Sequence, residues 1–129
     1  MKKYIWGLLT VVFFISMRTL VYAKGAQVTV RGKLVDAACY LKFGYTNNNH
    51  MGTMACGTRC LVQGSPAGLL KGHHIYILIF PARFFSNDIG KTFQISGKII
   101  QGDLLIPHIV KILENGKMQK VSIAGVTMM

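Results

Sequence analysis

All three cysteines of this 129-residue chain, Cys39, Cys56 and Cys60, lie in one segment, with His50 between them. Cys56 and Cys60 have i, i+4 spacing, so a helix would place both thiols on one face, one turn apart. Thiolate and imidazole groups bind zinc, and thiolates also bind Cu(I) and iron–sulfur centres. These residues therefore predict a metal site formed by Cys39, His50, Cys56 and Cys60, with copper, zinc or iron as the metal.

The same thiols could instead perform redox chemistry. An odd number of cysteines cannot all pair within one chain, which disfavours a disulfide framework. A C-x3-C pair is also not the C-x-x-C spacing of dithiol oxidoreductases, although Arg59 beside the pair would lower a thiol pKa. A thiol redox protein is therefore the alternative hypothesis, and it requires an exposed thiolate.

Four further residues near the thiols or on strands have structural roles in this interpretation. Met51 and Met54 are expected on the apolar face of a helix, and Asp36, three residues before Cys39, is expected to cap a turn. His108 shares its register with apolar residues of a strand, which predicts a semi-buried histidine.

Catalytic signatures are missing from the sequence. The chain has only four acidic residues, which leaves no paired carboxylates of the glycosidase type. Motifs for a nucleophile elbow, a phosphate-binding loop or a helical zinc protease do not occur. The expected function is therefore binding without catalytic turnover.

The N-terminus has the form of a signal peptide. Lys2 and Lys3 precede an apolar stretch over residues 4–17, and small residues stand at positions −3 and −1 of a cleavage site after Ala23. We expect residues 1–23 to be removed and residues 24–129 to form one periplasmic or secreted domain. An uncleaved N-terminal membrane anchor is the alternative, because Arg18 is unusual so close to a cleavage site.

The chain is strongly basic, with a formal net charge of +11. Removal of Lys2, Lys3 and Arg18 would leave 11 − 3 = +8. The remaining basic residues are scattered along the sequence without forming a run, which is typical of a solvated surface. The excess charge would also favour contact with an anionic membrane or envelope surface. Nucleic acid is not an expected partner of an exported protein.

Alternating and continuous apolar patterns predict a mainly β fold. A Cys-rich insertion, about residues 39–64, follows the first strand and includes a helix from about His50 to Val62. Asn-Gly at positions 115 and 116 predicts the last hairpin. This order predicts an OB-like barrel of five to six strands, and an open β-meander is the alternative. The predicted strands are Gln27–Asp36, Ala67–Leu70, His74–Phe80, Lys91–Ile100, Leu104–Leu113 and Lys117–Ile123, with one helical turn within Pro81–Ile89.

Three sequence features resemble a set of small exported bacterial proteins with OB-like domains. They are D-x-x-C-Y-L from Asp36, C-x3-C from Cys56 and G-x-P-x-G-L-L from Gly64. The resemblance covers roughly residues 28–113 and implies the fold, without implying a particular chemistry. It leaves open that the barrel face is a binding module for a glycan or a protein, with the Cys-rich insertion as a structural element.

Overall fold

The computed structural model describes residues 25–123. The predicted signal peptide, residues 1–23, lies outside the described residues. Six strands, two short α-helices and one 3-10 helix follow one another along the chain. In chain order they are β1 (Gln27–Asp36), α1 (Ala37–Phe43), α2 (Cys56–Val62), β2 (Ala67–Lys71), β3 (His74–Leu78), the 3-10 helix (Ala82–Asp88), β4 (Thr92–Ile100), β5 (Leu104–Glu114) and β6 (Lys117–Val121).

The strands form a closed OB-like barrel, which confirms the predicted fold class. The sheet order is β3-β2-β1-β4-β5-β6, and β3 also pairs with β5 in parallel. The contact between β3 and β5 runs through Ile77↔Leu104 and Leu78↔Leu105 and joins the two ends of a five-stranded sheet. Strand β6 extends the sheet beyond the barrel by pairing with β5.

The barrel interior is lined by apolar side chains that alternate with outward polar ones. In β1, for example, Val30 and Leu34 are buried, whereas Arg31 and Lys33 are exposed. Leu61 from α2 belongs to the same core and is only 1 % exposed, so the insertion is packed against the barrel. Full burial of one leucine side chain stabilises a fold by about 1.5–3 kcal/mol.

A β-bulge between β4 and β5 overturns the expectation for His108. Ser96 pairs with Ile109 and Gly97 pairs with Pro107, so His108 is the extra residue and is exposed. A Cβ at Gly97 would collide with the carbonyl oxygen of Ile106, and Pro107 cannot donate a ladder hydrogen bond. The inward–outward alternation of side chains along β5 therefore shifts by one residue at the bulge, so periodicity alone wrongly predicts a semi-buried His108.

The Cys-rich insertion contains two helices where one was expected. Helix α2 begins at Cys56 rather than at His50, because Met51 and Ala55 both have positive φ angles, 56° and 54°, that no α-helix accommodates. Met51 and Met54 consequently lie in the loop before the helix and are 59 % and 80 % exposed, so the expectation that they form an apolar helix face is wrong. Helix α1, at the other end of the insertion, was not expected from the pattern.

Candidate metal centre

Asp36 stands where strand β1 ends and helix α1 begins. It is the N-cap of α1, and its Oδ1 accepts hydrogen bonds from the backbone N–H groups of Ala38 at 3.0 Å and Cys39 at 3.3 Å. This confirms the expected capping role. Cys39 occupies the third position of the helix, from which a side chain reaches back toward the N-cap residue, as in a capping box. The cap therefore brings the Cys39 thiol close to the Asp36 carboxylate.

The segment after helix α2 brings Cys60 to the same place. Ser65 donates its hydroxyl hydrogen to Asp36 Oδ1 at 2.6 Å, and its backbone N–H donates to the carbonyl of Cys60 at 2.9 Å. Pro66, the next residue, accepts a hydrogen bond from the N–H of Ala37 at 3.0 Å. These bonds join the end of α2 to the beginning of α1.

Three ligand atoms converge as a result. One carboxylate oxygen of Asp36 and the sulfur atoms of Cys39 and Cys60 all lie within 4.8 Å of one another. Asp36 is buried and the two cysteines are half-buried. This is the one group of three or more such residues found within residues 25–123. Its geometry can hold a metal ion.

The electrostatics of this cluster favour protonated thiols when no cation is bound. Burial, followed by hydrogen bonding and charge repulsion from Asp36, raises the pKa of Cys39 to about 12. The same causes raise the pKa of Cys60, and the nearby Cys56 adds to the effect. Burial also acts to raise the pKa of Asp36, but hydrogen bonds, chiefly from Ser65, outweigh it and lower that pKa. Cys60, one of the pair beside Arg59, therefore has a raised pKa, where a lowered thiol pKa was considered in the sequence.

Asp36 has no cationic partner in the part of the chain that the structure describes. The ion pairs found there join His74 to Asp103, and Lys91 to Asp88 and Glu114. Oδ2 of Asp36 is enclosed and has no hydrogen-bond partner. A buried charge is normally paired or bound to a metal ion, so the cluster offers a cation an uncompensated carboxylate oxygen.

His50 is buried outside this group of three. Its Nδ1 donates to the carbonyl of Asn47 at 2.8 Å, and its ring stacks on Tyr45 with 4.9 Å between centroids. Nε2, like Asp36 Oδ2, is buried without a hydrogen-bond partner among the described residues. A ring held by Nδ1–H bonded to a carbonyl is the arrangement of many metal-ligating histidines. A ligand role for His50 stays a prediction.

Cys56 is the first residue of α2 and is half-buried, one turn before Cys60 as the spacing predicted. Its sulfur does not belong to the group of three, although its charge contributes to the raised pKa of Cys60. Cys56 is therefore near the cluster, and its role as a ligand also stays a prediction.

Two asparagines hold helix α2 in position, because its own N-cap residue has no side-chain hydrogen bond. Asn48 Oδ1 accepts from the N–H of Thr58 at 2.8 Å, and the Asn48 carbonyl accepts from Gly57 at 3.0 Å. Asn49 Oδ1 accepts from Ala55 at 2.8 Å. Side chains of the asparagine run thus cap the N-terminal end of helix α2.

A shallow cleft of about 410 Å³ lies beside the cluster. It touches the cluster only through Ser65, whose hydroxyl bonds Asp36. Apolar residues such as Leu61 and Phe80 line most of it, and Arg83 adds a positive charge. No cysteine lines the cleft, so we place the chemistry in the Asp36–Cys39–Cys60 cluster.

Sequence reasoning overlooked Asp36 as a candidate ligand. The available signal was the D-x-x-C spacing at a strand end, since an N-cap residue and the third helical residue face each other. The short α1 has no clear apolar periodicity, so this helix was not anticipated, although Asp36 was expected to be a cap.

Comparisons of the chain with protein-family models, with curated proteins and with solved structures find no match. Within residues 25–123, no helix combines the length and apolar character that crossing a bilayer requires.

Proposed function

We propose that this protein is a small exported OB-like domain that binds a thiophilic metal ion at the Asp36–Cys39–Cys60 cluster, without catalytic turnover. One observation carries the proposal: three ligand atoms from separate elements lie within 4.8 Å, and the carboxylate among them has a buried oxygen without a partner. The extra segment between β1 and β2 thus serves to bring a helix-borne thiol to the end of the first strand.

The donor set favours Zn(II) over the other candidate metals. Zinc binds thiolate, imidazole and carboxylate ligands in tetrahedral sites, so a carboxylate with two thiolates suits it. Cu(I) would prefer sulfur alone and would draw on Cys56, whereas a cubane iron–sulfur cluster commonly uses four cysteines and this chain has three. Cys56 and His50 are the candidates for a fourth zinc ligand.

The raised thiol pKa values argue against the redox alternative. A redox-active cysteine works as an exposed thiolate of low pKa, whereas burial and Asp36 raise the pKa of Cys39 and Cys60. A divalent cation would reverse this effect, because its charge favours the deprotonated ligands. Metal binding would then release protons.

Elemental analysis of protein purified without chelators tests the proposal. We expect about one equivalent of metal per chain, and a melting temperature that rises by about 10 °C or more when excess Zn(II) is added to metal-free protein. The double variant Cys39→Ser, Cys60→Ser should show neither effect. Protein that contains no metal, and whose melting temperature neither Zn(II) nor Cu(I) changes, would refute the proposal. A Cys39–Cys60 disulfide formed reversibly at cellular potentials, detected by mass spectrometry, would favour the redox alternative.

A further inference from the structure

The fold gathers basic residues that are dispersed in the sequence onto one outer surface. In β1 the exposed residues include Arg31 and Lys33. Arg31 is opposite Gln94 of β4, Gln94 is opposite Lys111 of β5, and Lys111 is opposite Lys120 of β6. Side chains directly opposite one another share a face, so these four residues form one row across four strands.

Two more cations border this row. Lys33 pairs with Thr92, and Lys98 pairs with both Gln27 and Ile106, at outward positions of the same strands. We call the outward side of β1, β4, β5 and β6 the basic face. Its cations are Arg31, Lys33, Lys98, Lys111 and Lys120.

Acidic residues do not neutralise the basic face. Asp36 is buried in the cluster, and Asp103 bonds His74 at the turn before β5. Asp88 and Glu114 both contact Lys91, outside the face. These are all four acidic side chains of the chain, so no ion pair to an acidic side chain neutralises the five cations of the face within residues 25–123.

The centre of the basic face is polar and hydrogen-bonding. Thr29 and Ser96 are paired there, and their hydroxyl oxygens lie 2.8 Å apart. Gln94 and Thr92 extend this group along β4. None of the residues that the strand registers place on the face is aromatic, and its two exposed aliphatic residues are Ile100 and Ile109, at 36 % and 40 % exposure.

The unneutralised cations, the central hydroxyl and amide groups and the lack of aromatic residues favour one kind of ligand. Bases of single-stranded nucleic acid and neutral sugars need aromatic surfaces to stack on, and membrane association is strengthened by apolar or aromatic anchors. Hydroxyl and amide groups surrounded by cations instead suit a hydroxyl-rich polymer that carries regularly repeated negative charges. With neighbouring strands about 4.8 Å apart, Arg31, Lys111 and Lys120 span about 14 Å, enough to contact several sugar units of such a polymer.

We propose that the basic face binds an anionic polysaccharide, a glycan chain bearing carboxylate, phosphate or sulfate groups. The interaction is electrostatic, with hydrogen bonds from the central hydroxyl and amide groups to sugar hydroxyls. It should weaken steeply with salt, because exposed charges are screened over about 8 Å at physiological ionic strength. The proposal is independent of the metal cluster, whose residues lie at the end of β1 and in the insertion.

Binding of dextran sulfate by the full chain, compared with neutral dextran, tests this proposal. The decisive variant is Arg31→Gln, Lys111→Gln, Lys120→Gln. Because each basic residue near an anionic surface strengthens association about fivefold, this variant should bind about a hundredfold more weakly. The matched control is Lys42→Gln, Lys71→Gln, Arg83→Gln, which removes three charges from exposed positions off the face and should remain within about fivefold of wild type.

Several results would overturn the proposal. One is failure of the wild type to bind dextran sulfate, and another is equal affinity for neutral dextran. A third is an equal loss in the two triple variants, since net charge alone would then explain binding. Tighter binding of the wild type to vesicles of equal parts phosphatidylglycerol and phosphatidylcholine, or to single-stranded DNA, would assign the face to another class of ligand. Thermal melting of both variants verifies that each is folded.

Discussion

Ser65 donates a 2.6 Å hydrogen bond to Oδ1 of Asp36, and this contact joins the end of helix α2 to the start of helix α1. Oδ1 also accepts from the backbone of Ala38 and Cys39, whereas Oδ2 is buried without a partner. Oδ1 of this carboxylate thus holds the two helix ends together through its hydrogen bonds. The other oxygen is available to a ligand.

Ser65→Ala should weaken metal binding without removing any ligand. Loss of a residue that orients a metal ligand typically reduces affinity by about 10–100-fold. The fold itself should lose about 1–3 kcal/mol, because a hydrogen bond to a charged buried group is lost. Isothermal titration with Zn(II) measures the first effect and urea unfolding of metal-free protein the second. The neighbouring exposed variant Gln63→Ala is the control, and equal Zn(II) affinities in the two variants would contradict the orienting role.

Asp36→Asn separates capping from metal binding. Asparagine caps helices about as well as aspartate, so metal-free protein should keep its stability within about 1 kcal/mol. The stabilisation by Zn(II) should largely disappear, because the neutral amide no longer supplies the anionic oxygen. Thermal melting with and without Zn(II) measures both quantities. A variant that melts like wild type in both conditions would show that Asp36 is only a cap.

Cys39→Ser should remove most metal-dependent stabilisation, whereas Cys56→Ser should remove less. Cys39 comes from α1 and reaches Cys60 only through tertiary folding, so a metal bridging them closes the loop between the helices and should stabilise the fold by several kcal/mol. Cys56 lies outside the converging group of three. Melting curves with Zn(II) compare the two variants. If Cys56→Ser is the more damaging change, the ligand set is wrong.

Metal-free protein should lose stability in alkaline solution because of Cys39. The folded pKa, about 12, lies above the ordinary thiol value of 9.0, so the folded state holds this proton more tightly than the unfolded state. The associated stability is complete below the unfolded pKa and declines as pH rises from about 9 toward 12. Urea unfolding as a function of pH, in the presence of chelator, should give a steeper decline for wild type than for Cys39→Ala. Parallel pH profiles would contradict the raised pKa.

Asn48→Ala should destabilise the domain by about 1–2 kcal/mol, since Asn48 supplies the side-chain cap of helix α2. Cys60 would then be held less firmly, so the Zn(II) affinity should fall with stability. Asn47→Ala is the matched control, because it keeps the backbone carbonyl that accepts from His50. Chemical unfolding of the two variants provides the measurement. Similar losses of unfolding free energy in both variants would indicate that any substitution in this loop is destabilising, and that the cap formed by Asn48 has no special effect.

The barrel was largely predictable because local sequence patterns, apolar alternation and turn residues, identify its strands. Gln27–Asp36 alternates over its whole length, and Asn-Gly at positions 115 and 116 specifies the last hairpin; these segments match the structure closely. The insertion was less predictable, since its loop contains residues with positive φ such as Met51 and Ala55 where an apolar helix face was expected. Local backbone conformations of that kind depend on contacts with distant residues.

The sequence by itself determined the fold class, the concentration of thiols in one segment and the excess of positive charge. Only the tertiary structure decided which groups meet. Asp36, Cys39 and Cys60 converge because Ser65 and Pro66 connect two helices at the end of β1, and five dispersed cations share a face because of strand register. Composition and periodicity follow from short-range preferences, whereas a site depends on distances between residues far apart in the chain, which form only when the core packs.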